Sequence, residues 1–468
     1  LKVNNEIAYN AIPLKDELKY LFLGIIICAL LLIMFFIVQN ESFIYALFVL
    51  SVITVLTFNF EITYGLLIGT IFISFFLLGQ QIGVLFSFFV FLSFLITHYN
   101  INQENLKNPL TIFFIIYIIS VVPSLSNISN PFLTFIRSLS FISILLLWYI
   151  SSIAINNSDK IKKIFYIYAS FLILSSFYVI YLAITTGERV FGLADVFFAD
   201  LAGIGLFIFI VNLLCRQRRA LRIYNFVLLI IALAALFFTQ TRNSWLAFAL
   251  ALLIFIIFLI IKSAKLNLNR RKLIIYFASF LVVFIAIYFM STIINPSIES
   301  RAENTAEKTV LTKAPESVGS NSLIMRAFIW HTAIQAFEKH PIEGIGFYSF
   351  PIESKYYYEI PKVFYKAFVE GKTAHSGYLA LIAETGILGL LGFLTLLIAA
   401  IRISLLSVKL SGTINEIINS LIILAFFIYI TISLIMTSAW LWGQQGILFG
   451  ILLGITCSNY KMLSKKSV

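Results

Sequence analysis

Six residues have side chains and settings that could do chemistry. Arg137 sits inside an apolar run, PFLTFIRSLSFIS, a turn or two from one end, and Arg242 sits in the tight turn FFTQTRNSWLAF between two such runs. Arg189 lies in a short polar link after another run. An arginine in or beside hydrocarbon is costly and turns toward a partner or a water-filled cavity; the alternative is snorkelling to headgroups or pairing with a carboxylate. His375 opens the run HSGYLALIAETGILGLLGFL. In a first helical turn, the positive end of the helix dipole would lower its affinity for a second proton. A neutral imidazole there suits a general base; the alternative is an interfacial histidine with no role. Arg326 lies on an amphipathic stretch beside Phe328 and Trp330, where it could dip toward the membrane face or be solvated. Glu384, nine residues beyond His375 and about two and a half turns deeper, is placed to pair with an arginine. His98, His331 and His340 read as structural.

The elements that must position these residues are membrane helices. Of 468 residues, 61% are hydrophobic and 12% charged, against about 25% charged in a soluble domain. The apolar runs are continuous rather than alternating, which selects helices over a β-barrel. Breaking the chain at polar clusters gives spans near 20–38, 43–58, 62–79, 83–98, 110–122, 132–155, 163–185, 196–214, 223–239, 244–261, 273–294, 376–401, 417–436 and 440–458. The 110–122 run is short and bracketed by Pro109 and Pro123, so it either re-enters or spans. The first run is expected to be a retained span rather than a removable signal peptide. The fold class is therefore an all-α integral membrane protein of about 12–14 helices. It divides into an amino-terminal span region (1–294), an external loop (295–374) and three closing spans (375–468).

The net charge of +12 reports topology rather than nucleic acid. With the amino terminus inside, 21 of the 33 basic residues fall on inner segments, as the positive-inside rule requires. Both termini are then cytoplasmic. Arg137, Arg189 and Arg242 are the exceptions on short outer turns and span ends. The 295–374 segment begins polar and becomes amphipathic in LIMRAFIWHTAIQAFEKH, where Met325, Phe328, Ile329, Thr332, Ala333 and Ala336 share one face. Pro341 stops that helix, PIEGIGFYSF is a glycine-punctuated turn, and the aromatic YYYEIPKVFYKAF leads to the next span. Such a loop could lie on the membrane surface as a lid. Gly446, Gly450 and Gly454 allow close helix packing, and Cys28, Cys215 and Cys457 read as small apolar packing residues.

The run Arg242-x-x-x-Leu246, a long outer loop, and His375-x10-Gly386 resemble the O-antigen ligase and polymerase superfamily. RAFIWHTAIQAFEKHPIEGIGFYSF looks like that family's loop motif, and Arg189-x-x-Gly192 before Asp200-x-Ala202 is similar to a segment that usually has Asn at the place of Asp200. The resemblance covers residues 130–460. It implies a C-type glycosyltransferase-like membrane fold in a bacterial inner membrane, with the large loop periplasmic. It also implies a glycan donor on undecaprenyl diphosphate, taken without metal or other cofactor. The acceptor would be lipid A core (a ligase), another glycan (a polymerase) or a protein hydroxyl (an oligosaccharyltransferase).

Carried over by position, Arg242, Arg326 and His375 are the functional residues, with Arg137 and Arg189 supporting on the diphosphate and Glu384, Asp200 and Gly386 supporting elsewhere. Charge grows on the diphosphate as the anomeric C–O bond breaks, and guanidiniums can hold those oxygens bidentately. His375 would take the acceptor proton, and a single displacement would invert the anomeric centre. The rival from another class is a transporter of lipid-linked oligosaccharide, for which inverted repeats and helices broken near the midplane are the usual signs.

Overall fold

The computed structural model describes residues 60–72, scattered positions from 84 to 95, and 108–466 apart from 129, 187–189, 191–193, 195–196, 216–217, 264–269, 295–321 and 442. The first two expected spans, Cys28, His98, Arg189, Gly192 and the polar start of the external loop lie outside the described residues. So do some side chains within helices, including that of Arg137.

The described chain is helical, with no strand among the described residues. In order the helices are α1 (Phe60–Phe72), α2 (Thr111–Val121, extended by a 3-10 turn Val122–Asn127), α3 (Pro131–Ala154), α4 (Ser158–Thr186), α5 (Phe198–Cys215), α6 (Arg219–Phe238), α7 (Arg242–Lys262) and α8 (Arg270–Ile294). Then come α9 (Ser322–Lys339), α10 (Phe350–Glu353), α11 (Lys362–Phe368), α12 (Gly377–Leu410), α13 (Ile414–Ser433) and α14 (Gly443–Lys466). Seven of these are long and apolar enough to cross a bilayer: α4, α5, α6, α7, α12, α13 and α14 from Gln445 onward. The chain is a multi-pass, all-α membrane protein.

Contacts fix which helix ends lie together. Ser158 at the start of α4 accepts from Asn419 Nδ2 near the start of α13, and Lys466 at the end of α14 pairs with Glu416. This is the basic end of the bundle. The stretch 108–127 runs the full height. Asn108, Pro109 and Thr111 line a cavity with Tyr460 and Lys461 at the basic end, while Asn127 Nδ2 donates to the Gly344 carbonyl at the other, 2.7 Å away. The glycine stripe on α14 does what its spacing suggests. A Cβ on Gly450 would sit 2.7 Å from the Ile144 carbonyl, and one on Gly454 2.7 Å from that of Trp148, so α3 lies against the α14 backbone. Cys215 and Cys457 are buried free thiols.

The external segment has a core of its own, separate from the bundle core. Ile329, Ala333 and Ala336 of α9 pack with Phe350, Tyr365, Phe368 and Val369, and against Ala380 and Ala383 of α12. The expected α9 face is thus the buried one, and α9 ends two residues before Pro341. The opening of α12 packs into this second core. α12 has 34 residues, about 51 Å at 1.5 Å per residue, well over the ~30 Å hydrocarbon thickness. It is broken at Gly386, whose φ of 64° and ψ of −167° are non-helical. The portion after the break, 387–410, is about 36 Å long and sufficient to span. The apolar run 376–401 falls within one helix, Gly377–Leu410, that is long and apolar enough to cross a membrane and is broken at Gly386.

Candidate active site

The site lies at the non-basic end, on the link 434–441 between α13 and α14. Three parts of the external segment hydrogen-bond to carbonyls of this link. Arg326 Nη1 donates to Met436 at 3.0 Å. Tyr348, itself at φ 57°, donates its hydroxyl to Leu441 at 2.8 Å. The Gly377 N–H is shared by Leu434 at 2.8 Å and Thr437 at 3.0 Å. These bonds seat α9, the glycine turn and the start of α12 on one floor, so Arg326 and His375 converge on it.

His375 does not lie in the first turn of α12. It precedes the N-cap, Ser376, whose side chain accepts from the Leu379 N–H. His375 has φ 51°, a left-handed conformation that costs a non-glycine residue on the order of 1–3 kcal/mol. Its imidazole is held neutral, with its pKa lowered to about 4, by burial first and then by the charges of Arg326 and Lys372. The neutral state expected from sequence is therefore present, but neighbouring cations and desolvation supply it, where the helix dipole had been the expected cause.

Arg326 occupies the centre of the site. Burial lowers its pKa, Asp200 opposes that change, and Arg242 adds to it. Arg242, Asp200 and His375 are thus each close enough to Arg326 for an electrostatic effect. Arg242 is the first residue of α7, where a cation meets the positive end of the helix dipole. Like charges at Arg242 and Arg326, Lys372 beside His375, and the N-termini of α7 and α12 together make a region of positive potential that an anion would relieve. Arg326 Nε and Trp330 Nε1, one turn apart on α9, are buried and have no hydrogen-bond partner among the described residues. An N–H left in that condition costs free energy that an arriving oxygen ligand recovers.

Asp200, in the first turn of α5, is buried and accepts from Ser244, Tyr429, Ser433 and Gln445. Where the resembling segment usually has Asn, this chain has a carboxylate that accepts from four donors. Glu384 and Gly386 support the site from one layer away. Glu384 Oε1 accepts from the Phe350 N–H at the start of α10, 3.2 Å away. At the Gly386 break, the Ala383 and Glu384 carbonyls accept from Ile345 and Gly346, and the Ile387 N–H donates to Pro341. The glycine turn is thus docked into the broken helix. His340 is structural, placed between Glu343 and Tyr357, and His331 is exposed. Arg137 lies in the second turn of α3. Among the described residues, no three His, Cys, Asp or Glu side chains gather as a metal-ligand set.

Sequence reasoning missed the 434–441 floor and Trp330. The polar, tryptophan-containing interruption TSAWLWGQQ between two apolar runs was the available signal.

Residues 226–394 match the family model described as O-Antigen ligase. Over that stretch the chain is similar to the O-antigen ligase family. The matched stretch holds Arg242, Arg326, His375, Glu384 and Gly386, and leaves out Arg137, Arg189, Asp200 and the 434–441 link. No curated protein matches the chain. The similarity to O-antigen ligase and the apolar helices give the function class, a membrane enzyme of O-antigen ligase or polymerase type.

Proposed function

We propose that this protein transfers a glycan from undecaprenyl diphosphate to an acceptor at the periplasmic face of a bacterial inner membrane, with lipid A core as the acceptor. The observation that carries this reading is the placement of Arg326 and Lys372 beside a neutral His375, with Arg242 close enough to Arg326 to be felt there. Arg242 and Arg326 hold the diphosphate oxygens, with Arg137 and Arg189 assisting. A clamp of this kind is worth on the order of 3 kcal/mol per group when removed.

The acceptor hydroxyl oxygen forms a bond to the anomeric carbon as the C–O bond to the diphosphate breaks. The bonding pair leaves on the diphosphate oxygen and the hydroxyl proton goes to His375, a contribution of roughly 10²–10⁴-fold. One displacement of this kind inverts the anomeric centre. The positive charge is supplied by guanidiniums, and the transfer is metal-independent in this scheme. Orientation follows from the basic end of the bundle, where Lys160, Lys409, Lys465 and Lys466 lie; that end is cytoplasmic in this reading, with the end of α14 on its side.

A strain lacking the chain tests the acceptor. Core without long chains, with polymer accumulating on the lipid carrier, is the expected result. Core bearing single repeats would make the protein a polymerase, and unchanged lipopolysaccharide with unglycosylated protein would make it an oligosaccharyltransferase. Lipid-linked glycan retained on the cytoplasmic side would make it a transporter.

A further inference from the structure

We infer that Asp200 is a positioning residue whose carboxylate sets Arg242 and the 434–441 floor in register, an inference that rests on the reading above. Its Oδ1 accepts from Ser244 Oγ at 2.8 Å, Tyr429 Oη at 3.0 Å and Ser433 Oγ at 3.4 Å, and its Oδ2 accepts from Gln445 Nε2 at 3.2 Å. Trp440 Nε1 donates to Ser433 Oγ at 3.0 Å. An indole can only donate, so the Ser433 proton is directed to Asp200.

These donors come from three helices and from the elements that carry the site. Ser244 lies two residues after Arg242 in the first turn of α7. Ser433 ends α13, three residues before the Met436 carbonyl that receives Arg326. Gln445 is in the first turn of α14. One buried carboxylate therefore joins α5, α7, α13 and α14 at the level of the site. Helices pack as well on apolar side chains, and a buried charge is not needed to hold a bundle together. The Asp200 charge has a second effect, since it is felt at Arg326 and favours the guanidinium. It also opposes an arriving anion.

Two substitutions separate geometry from charge. Asp200→Asn keeps an oxygen for the three hydroxyls. Its amide nitrogen can meet Gln445 once that side chain turns over, because Gln445 Oε1 is buried without a partner among the described residues. Ser244→Ala cuts only the link to α7. The assay uses the full chain in lipid nanodiscs, with undecaprenyl diphosphate-linked oligosaccharide as donor and lipid A core as acceptor. Asp200→Asn is expected to keep kcat within about threefold while the donor KM falls severalfold, because a charge repelling the anion is gone. Ser244→Ala is expected to lower kcat on the order of tenfold in folded protein, from misplacement of Arg242.

Wild-type kcat and KM in both variants, with only a lower melting temperature, would make Asp200 merely structural and overturn the inference. An inactive, folded Asp200→Asn would also overturn it, by making the charge itself essential. Arg326→Ala serves as the reference. If Arg326→Ala abolishes transfer but Ser244→Ala does not alter it, only the positioning role fails. If the wild type transfers nothing, the proposed function fails and takes this inference with it.

Discussion

Replacing Gly386 by alanine should dislodge the external segment from the site while leaving the bundle standing. Gly386 has φ 64° and ψ −167°, a region open essentially to glycine, where another residue costs about 1–3 kcal/mol. Its added Cβ would lie 2.1 Å from the Ile342 carbonyl oxygen, which is backbone and cannot rotate away. Relief requires either the helix to close or the 341–346 turn to withdraw. Withdrawal breaks the bonds from Ile345 to Ala383 at 2.9 Å, Gly346 to Glu384 at 3.0 Å and Ile387 to Pro341 at 2.9 Å. Each is worth about 1 kcal/mol net, so the local cost is about 4–6 kcal/mol. Gly371 is the control, since its φ is 73° but an added Cβ meets nothing within 4 Å; alanine there should cost about 1–2 kcal/mol. Amide hydrogen exchange at Ile345, Gly346 and Ile387 reads the docking directly, and glycan transfer reads its consequence. Gly386→Ala should lose protection at all three amides and lose transfer, with the helices α4–α7 protected as before. Unchanged protection and unchanged transfer would refute the docking role given to the break.

Four further outcomes are expected. His375 has a folded pKa of about 4 against an ordinary 6.5, so kcat/KM should fall only below about pH 4–5. In the donor complex, the diphosphate offsets Arg326 and raises the imidazole pKa, moving the acid limb of kcat upward. The same depression means that the unfolded chain binds more protons between pH 4 and 6.5; the stability contributed by this group should be complete above pH 6.5 and lost as pH falls toward 4, as denaturation midpoints measured across that window would show. Asn127→Ala removes the 2.7 Å bond to Gly344 and should cost about 1 kcal/mol, seen as greater proteolytic sensitivity of the 341–346 turn. Arg326→Lys should retain the charge but lose the planar fork, with donor KM rising about tenfold or more.

Much of this arrangement was legible in the sequence because membrane helices and amphipathic helices write themselves as periodicity and runs. The α9 face from Met325 to Ala336 and the stop at Pro341 follow from local pattern, whereas Arg242, Arg326 and His375 are brought together by the family resemblance. The Gly386 break follows from neither, because GILGLLGFL reads as continuous apolar helix, and the break is selected by hydrogen bonds to a turn forty residues away. The position of His375 outside the helix was hidden for the same reason. Ser376 is a good N-cap by type, but only the carbonyls of Leu434 and Thr437 fix where α12 begins. Asp200 could be marked as a charge in an apolar run; its four partners come from residues up to 245 positions away, beyond any local rule.

The most direct test separates binding of the lipid diphosphate from transfer. Undecaprenyl diphosphate binding and glycan transfer would be measured side by side for the wild type, Arg242→Ala, Arg326→Ala and His375→Ala in nanodiscs. The arginine variants should lose binding by about 10²-fold, consistent with ~3 kcal/mol per clamp. His375→Ala should bind as the wild type does and transfer nothing measurable. Wild-type transfer by His375→Ala, or undiminished diphosphate binding by both arginine variants, would contradict an arginine-held diphosphate displaced from the anomeric carbon by an acceptor hydroxyl under histidine catalysis.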